Sequence, residues 1–290
     1  MKRKKLTASM IALVMSVSLP MTTYAANWYL EDGSVTVNAD NSGQTVTQGS
    51  TSTPDEAPVI TQRGSSAETS NTITINASEN ATANVTISNV NIDTSSAAIA
   101  TSGKGNVNIE LDGTNTLRSG REHAGLEKSG DGKLTITDEN GNGKLIATGG
   151  QYGAGIGGGF YEGGKNITIA GGKVTANGGD YGAGIGGGQE GDGSNITITD
   201  GEVIAAGGTN GAGIGGGGGI SGKGEKISIS GDAKLKVQGG SGDYWDGAGA
   251  GIGNGGSHNG DYLSGTIPVN GAETEPDTSN LTTGKIEYYA

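Results

Sequence analysis

Gly149-Gly-Gln-Tyr-Gly-Ala-Gly-Ile-Gly-Gly-Gly159 returns as Gly178-Gly-Asp-Tyr-Gly-Ala-Gly-Ile-Gly-Gly-Gly188, and again as Gly207-Gly-Thr-Asn-Gly-Ala-Gly-Ile-Gly-Gly-Gly217. The central isoleucines, Ile156, Ile185 and Ile214, are 29 residues apart, and a looser copy centres on Ile252. A fixed period of this length marks a solenoid, in which each unit buries its apolar face only against its neighbours.

Two further motifs alternate with the glycine phrase. The first is an apolar-polar-apolar triplet: Val85-Thr-Ile87, Val107-Asn-Ile109, Leu134-Thr-Ile136, Ile167-Thr-Ile169, Ile196-Thr-Ile198 and Ile227-Ser-Ile229. The second follows each of these, as Val90-Asn-Ile92, Asn115-Thr-Leu117, Leu145-Ile-Ala147, Val174-Thr-Ala176, Val203-Ile-Ala205 and Leu235-Lys-Val237. Short alternating runs rich in Val, Ile and Thr read as half-buried strands. Three strands per unit predict an all-β, right-handed parallel β-helix of about six three-stranded coils with an N-terminal cap. At about 4.8 Å per coil the rod would be roughly 29 Å long. Pro is absent from residues 59 to 267, as a stacked ladder requires, because each central strand needs its N–H groups.

The chain opens as a secretory precursor. Lys2-Arg-Lys-Lys5 is a basic n-region, residues 6–19 are an apolar h-region, and Thr23-Tyr-Ala25 is a cleavage site. The expected organisation is a signal peptide at 1–25, a cap with a flexible loop at 26–70, the repeat domain at 71–268 and a tail at 269–290 with one strand near Lys285-Ile-Glu-Tyr288. The mature form is expected to be extracellular, free or attached to a cell surface, with no insertion into a membrane. There is no cysteine, so disulfides do not hold it together. The net charge of −12, about −16 without the n-region, argues against nucleic acid as a partner. Gly at 59 of 290 residues would signal disorder were it not in register with the apolar stripes.

Strand alternation within the glycine phrase predicts Ala and Ile pointing inward and Gly outward. Gly153, Gly155, Gly182, Gly184, Gly211 and Gly213 would then pave one bare face of the rod, a docking surface for a polymer or a surface protein; the alternative is that the chain's own tail or loops cover this face, or that glycine relieves crowding at tight corners. The triplet strands offer a second face, with Thr86, Asn108, Thr135, Thr168, Thr197 and Ser228 in an outward column. It reads as an ordinary solvated face, with ice binding as the sharper alternative.

Aromatic rings stack on the apolar faces of sugars. Tyr152 and Tyr181 occupy equivalent positions one unit apart, with Asn210 in the next, and Phe160 and Tyr161 extend that platform. An insertion in the fourth unit carries Asp243, Tyr244, Trp245 and Asp246, with His258, Asp261 and Tyr262 nearby. The candidate ligand contacts are Tyr152, Tyr181, Asp243, Tyr244, Trp245 and Asp246, with a local cap over the last coil's open edge as the alternative reading of the insertion. Residues 138–143 follow the start of a calcium loop but lack the closing acid, so no metal or cofactor is expected, with Ca²⁺ at this turn as the alternative. Carboxylates are scattered singly, and His123 is expected as a solvated corner residue, so no catalytic residue is assigned.

Gly105-Asn-Val-Asn-Ile-Glu-Leu-Asp-Gly-Thr-Asn-Thr-Leu117, His123-Ala-Gly-Leu-Glu-Lys128, Lys133-Leu-Thr-Ile-Thr-Asp-Glu-Asn-Gly-Asn-Gly143 and the Gly-Ala-Gly-Ile-Gly-Gly-Gly phrases together resemble secreted repeat proteins of Gram-positive, mostly gut-type bacteria described as carbohydrate-binding-domain-like. The resemblance spans residues 27–265 and implies a right-handed β-helix associated with polysaccharide or with a surface. The expectation is a non-catalytic protein that binds polysaccharide or host glycan. The alternatives are a self-associating surface-layer rod and a polysaccharide-cleaving enzyme.

Overall fold

The computed structural model describes residues 25–64, 67–220, 222–259 and 267–289. The segment expected as a signal peptide, apart from Ala25, lies outside them, as do Asp261 and Tyr262. The described chain is all-β, a parallel solenoid of about seven turns. No helix among the described residues is long and apolar enough to cross a membrane.

Three faces run the length of the solenoid. The first stacks Asn27–Tyr29, Val59–Thr61, Thr82–Ser88, Asn106–Asp112 and Leu134–Thr137, then the leading halves of Gly164–Asn177 and Gly193–Ala206, and Gly224–Ile229. The second stacks Asn91–Asp93, Thr114–Arg118, Lys144–Thr148, the trailing halves of the same two long strands, Lys234–Gln238 and Lys285–Tyr289. The third runs from Val35–Asp40 through Ile73–Ala77, Ile99–Gly103 and Leu126–Lys128 to the two-residue strands at Ile156, Ile185, Ile214 and Ile252. Every pairing within these faces is parallel. The inward columns of Val, Ile, Leu and Ala are buried along the whole axis and form one continuous core.

The ladder reaches beyond residues 71–268 at both ends. Asn27–Tyr29 and Val35–Asp40 pair in parallel with the next coil, so the segment expected as a cap supplies a further turn. Only Gly43–Gln48 and Thr51–Pro54, which add antiparallel to the third face, lie outside the parallel ladder there. At the other end Lys285–Tyr289 is the last parallel rung of the second face. One register also differs: Val85 pairs with Ile109 and Ile87 with Leu111, two residues along from the spacing expected from the motifs. A slip of two keeps every side chain on its own side of the sheet, so the motif pattern does not reveal it. The outward column therefore runs Asn84, Asn108, Thr135, Thr168, Thr197, Ser228, with Thr86 beside Glu110 instead.

The glycine phrase does not form the bare face. Gly153, Gly155, Gly182, Gly184, Gly211 and Gly213 are all buried. Strand geometry covers only Ile and the following Gly; the flanking glycines belong to the corners, where the Cβ direction runs along the rod axis. A methyl at Gly182 would lie 1.9 Å from the Gly153 carbonyl oxygen, and one at Gly211 would lie 1.9 Å from that of Gly182. Coils spaced at the strand–strand distance leave no axial room for a Cβ. At the residue after each isoleucine the backbone adds its own demand: φ is +139 at Gly157, +137 at Gly186 and +137 at Gly215. The glycines thus let backbone pack on backbone, while Ala154, Ile156, Ala183 and Ile185 fill the core as expected.

The coil before the first phrase shows the same hydrogen bond made differently. Ala154 N donates to Gly158 O, and Ala183 N to Gly187 O. In the preceding coil Ala124 N donates instead to Glu127 Oε2 at 3.1 Å. His123 Nδ1 meets the same carboxylate oxygen at 2.9 Å. A side chain there does the work that a glycine carbonyl does later, and His123 is paired rather than merely solvated.

Candidate functional site

The third face is so short in the glycine coils that both of its corners lie side by side. Gln189 N donates to Tyr152 O at 2.8 Å, Gly218 N to Tyr181 O at 2.7 Å, and Phe160 N to Glu122 O at 2.7 Å. This juxtaposition gathers aromatic side chains that are separated along the chain. Tyr152 and Tyr181 stack one coil apart with ring centroids 5.8 Å apart, Phe160 is 4.9 Å from Tyr152, and Tyr161 is 3.8 Å from Phe160. The guanidinium of Arg121 lies 4.8 Å over the Tyr152 ring and donates to its hydroxyl. Arg121 Nε also donates to Gln151 Oε1 at 2.9 Å, and Gln151 Nε2 to Asp180 Oδ2 at 3.3 Å. Tyr152, Phe160 and Tyr181 are half-buried, whereas Tyr161 is 61 % exposed. The patch has tilted rings, fixed polar groups at its edge and one open ring face, all held on a rigid ladder.

The insertion loop closes the same corner column further along the rod. Tyr152 N, Tyr181 N and Asn210 N each donate to the coil before, at Arg121 O, Gln151 O and Asp180 O, which puts the three residues in one column. The next corner is the loop, where Gly242 N donates to Thr209 O at 2.8 Å. Asn210 is fully buried beneath it and donates through Nδ2 to Asp246 O and Gly247 O. The aromatic column stops at Asn210 because the loop covers that position and needs an amide there. Tyr244 and Trp245 project from the loop, 79 % and 43 % exposed, packed edge to face at 4.9 Å.

Asp243 and Asp246 shape this loop. Asp243 Oδ1 accepts the N–H groups of Trp245 and Asp246 at 2.8 Å each. Asp246 is 2 % exposed and its carboxylate is bonded to His258 Nδ1, so it is not open to a ligand as expected from its position in the insertion. The docking face expected from Gly153, Gly155, Gly182, Gly184, Gly211 and Gly213 is absent for the reason given above, so a partner cannot reach those positions. In the turn at residues 138–143, Asn142 Nδ2 donates to Asp112 Oδ1 at 2.9 Å and Glu139 N donates to Glu110 Oε1 at 2.7 Å. No group of three or more His, Cys, Asp or Glu among the described residues is arranged to hold a metal ion.

Beyond Tyr161 the patch opens into a groove of about 480 Å³. It is lined by Tyr161, Glu162, Lys165, Glu190, Asp192 and Ser194, with Ser129 and Gly130 on its far wall. Behind that wall lies Lys128, 3 % exposed, whose Nζ donates to the carbonyls of Ser129 and Gly130 at 3.1 and 3.0 Å. Burial, and after it the charge of Lys165, lower its pKa to about 8 against the opposing charge of Asp131. Glu190 was not among the residues expected from the sequence. Its one signal is that Tyr161 and Glu190 are themselves 29 residues apart, a match hidden by their different side chains.

No protein-family profile, curated protein or solved structure matches the chain at a significant level.

Proposed function

We propose that this chain is a secreted, non-catalytic protein that binds polysaccharide or host glycan through the aromatic corner of its solenoid. The observation that carries this reading is the contact chain Tyr181–Tyr152–Phe160–Tyr161, four rings brought within touching distance by two turns of a rigid ladder. Exposed aromatic groups edged by fixed hydrogen-bonding side chains suit sugars, whose C–H faces are apolar and whose rims are hydroxyls. The exposed Tyr244 and Trp245 extend the same edge toward the end of the rod. The basic–apolar start of the chain supports secretion. The acidic charge favours ligands other than nucleic acid. The likeness to carbohydrate-binding-domain-like repeat proteins points the same way.

The test is retention on insoluble polysaccharides together with a glycan array. The double variant Tyr152→Ala/Tyr181→Ala should lose affinity about tenfold or more, the loss typical of removing aromatic anchors. Binding by neither method, or binding unchanged in the double variant, would reject the reading.

A further inference from the structure

Two groove residues hold a backbone conformation that their side chains make unfavourable. Tyr161 has φ +60 and Glu190 φ +58. They occupy one corner in successive coils, since Tyr161 N donates to Gln189 O and Glu190 N donates to Gly218 O. In the third coil the same corner is Gly219, with φ +117. Glycine therefore satisfies this corner, yet the first two copies place large side chains there, at a strain of about 1 kcal/mol each.

Both side chains line the groove. One face of Tyr161 rests on Phe160, leaving the ring 61 % exposed. The carboxylates of Glu162 and Glu190 accept no hydrogen bond from any described residue, whereas Lys165 is held by Asp131 at 2.7 Å and Asp192 accepts Lys223 N at 2.8 Å. The groove thus offers an aromatic face beside two open carboxylate acceptors, with its cation already paired. Ring stacking with charge-assisted acceptance from neighbouring hydroxyls is the chemistry that holds a pyranose. A sugar carrying its own carboxylate or sulfate would meet Glu162 and Glu190 as like charges.

We propose that this groove is a subsite for an uncharged pyranose, with Tyr161 as the stacking face and Glu190 and Glu162 as hydroxyl acceptors, and that it discriminates against uronate and sulfated sugars. The proposal rests on the glycan-binding reading above.

The test uses the full chain against three soluble probes: a neutral β-glucan, a neutral mannan and polygalacturonate. At least one neutral probe should bind and polygalacturonate should bind at least tenfold more weakly. Tyr161→Gly and Glu190→Gly should each weaken binding of the neutral probe about tenfold while leaving the melting temperature unchanged or raised, because glycine is at ease at φ near +60. Glu190→Gln should weaken it less than Glu190→Gly, since the amide still accepts one hydrogen bond. Tighter binding of polygalacturonate overturns the proposal, as does neutral binding unchanged in both glycine variants. If those variants bind normally while Tyr152→Ala/Tyr181→Ala does not, glycan binding stands and the groove assignment falls. If the unmodified chain binds no glycan, both fall.

Discussion

Lys128 occupies an inward column that begins Val37, Ile75, Thr101. In the next coil the column meets the first glycine phrase, and Lys128 fills the seam with a long stem whose ammonium ties down the carbonyls of Ser129 and Gly130. Its folded pKa of about 8 is below the ordinary 10.5. At this site the unfolded chain therefore binds more protons than the folded chain between those values, and the contribution of Lys128 to stability rises as pH climbs from about 8 to 10.5. Lys128→Met removes that linkage. Urea unfolding at pH 7, 9 and 10.5 should show a gain of about 3 kcal/mol in the unmodified chain relative to the variant across this window. A parallel pH dependence in the two proteins would show that the ammonium is not desolvated.

At the scale of the element, the glycine phrase is a packing device. Gly186→Ala combines φ +137 with a methyl 2.0 Å from the Gly215 carbonyl oxygen, so the ladder must shift. Gly49→Ala is the control, at φ +60 with nothing within 4 Å. Denaturation should show a loss of about 3 kcal/mol or more for the first and about 1 kcal/mol for the second. Equal losses would mean that conformation alone, and not the contact between coils, selects glycine. The same contrast separates what the sequence makes legible from what it hides. Ala154, Ile156 and their repeats were readable as core because apolar side chains at a fixed period have one sensible place. Alternation places the glycines outward because it assumes a strand, and a two-residue strand between corners has almost none. Tyr152 and Tyr181 were readable as neighbours from their common spacing. That Phe160 joins them, and that Glu190 stands beside Tyr161, depends on two corners of the coil touching across the phrase, which no local pattern encodes.

The whole molecule is a one-dimensional stack whose coils are stabilised mainly by their neighbours, so its ends decide whether it stays closed. The N-terminal end turns its third face into an antiparallel sheet with Gly43–Gln48 and Thr51–Pro54. At the other end residues 270–289 trace the last coil and satisfy its open edges. The Glu273 carboxylate accepts Gly251 N at 2.8 Å and Ile252 N at 3.1 Å, Thr274 N donates to Ile252 O, and Asp277 bridges Ile227 and Ile229 through its backbone. Leu281 and Ile286 pack against the end of the core. Without this segment Ile227, Leu235 and Ile252 would border solvent beside unpaired strand edges, the arrangement that templates association between chains. A chain ending at residue 269 should therefore melt lower and form concentration-dependent oligomers by light scattering. Hydrogen exchange should place its weakened amides in the strands Gly224–Ile229 and Lys234–Gln238, with those of Leu134–Thr137 and Lys144–Thr148 still protected, because coupling decays from coil to coil. A uniform loss of protection would instead mean that the solenoid unfolds as one cooperative unit, and a monomer of unchanged stability would mean that the tail does not guard the edge.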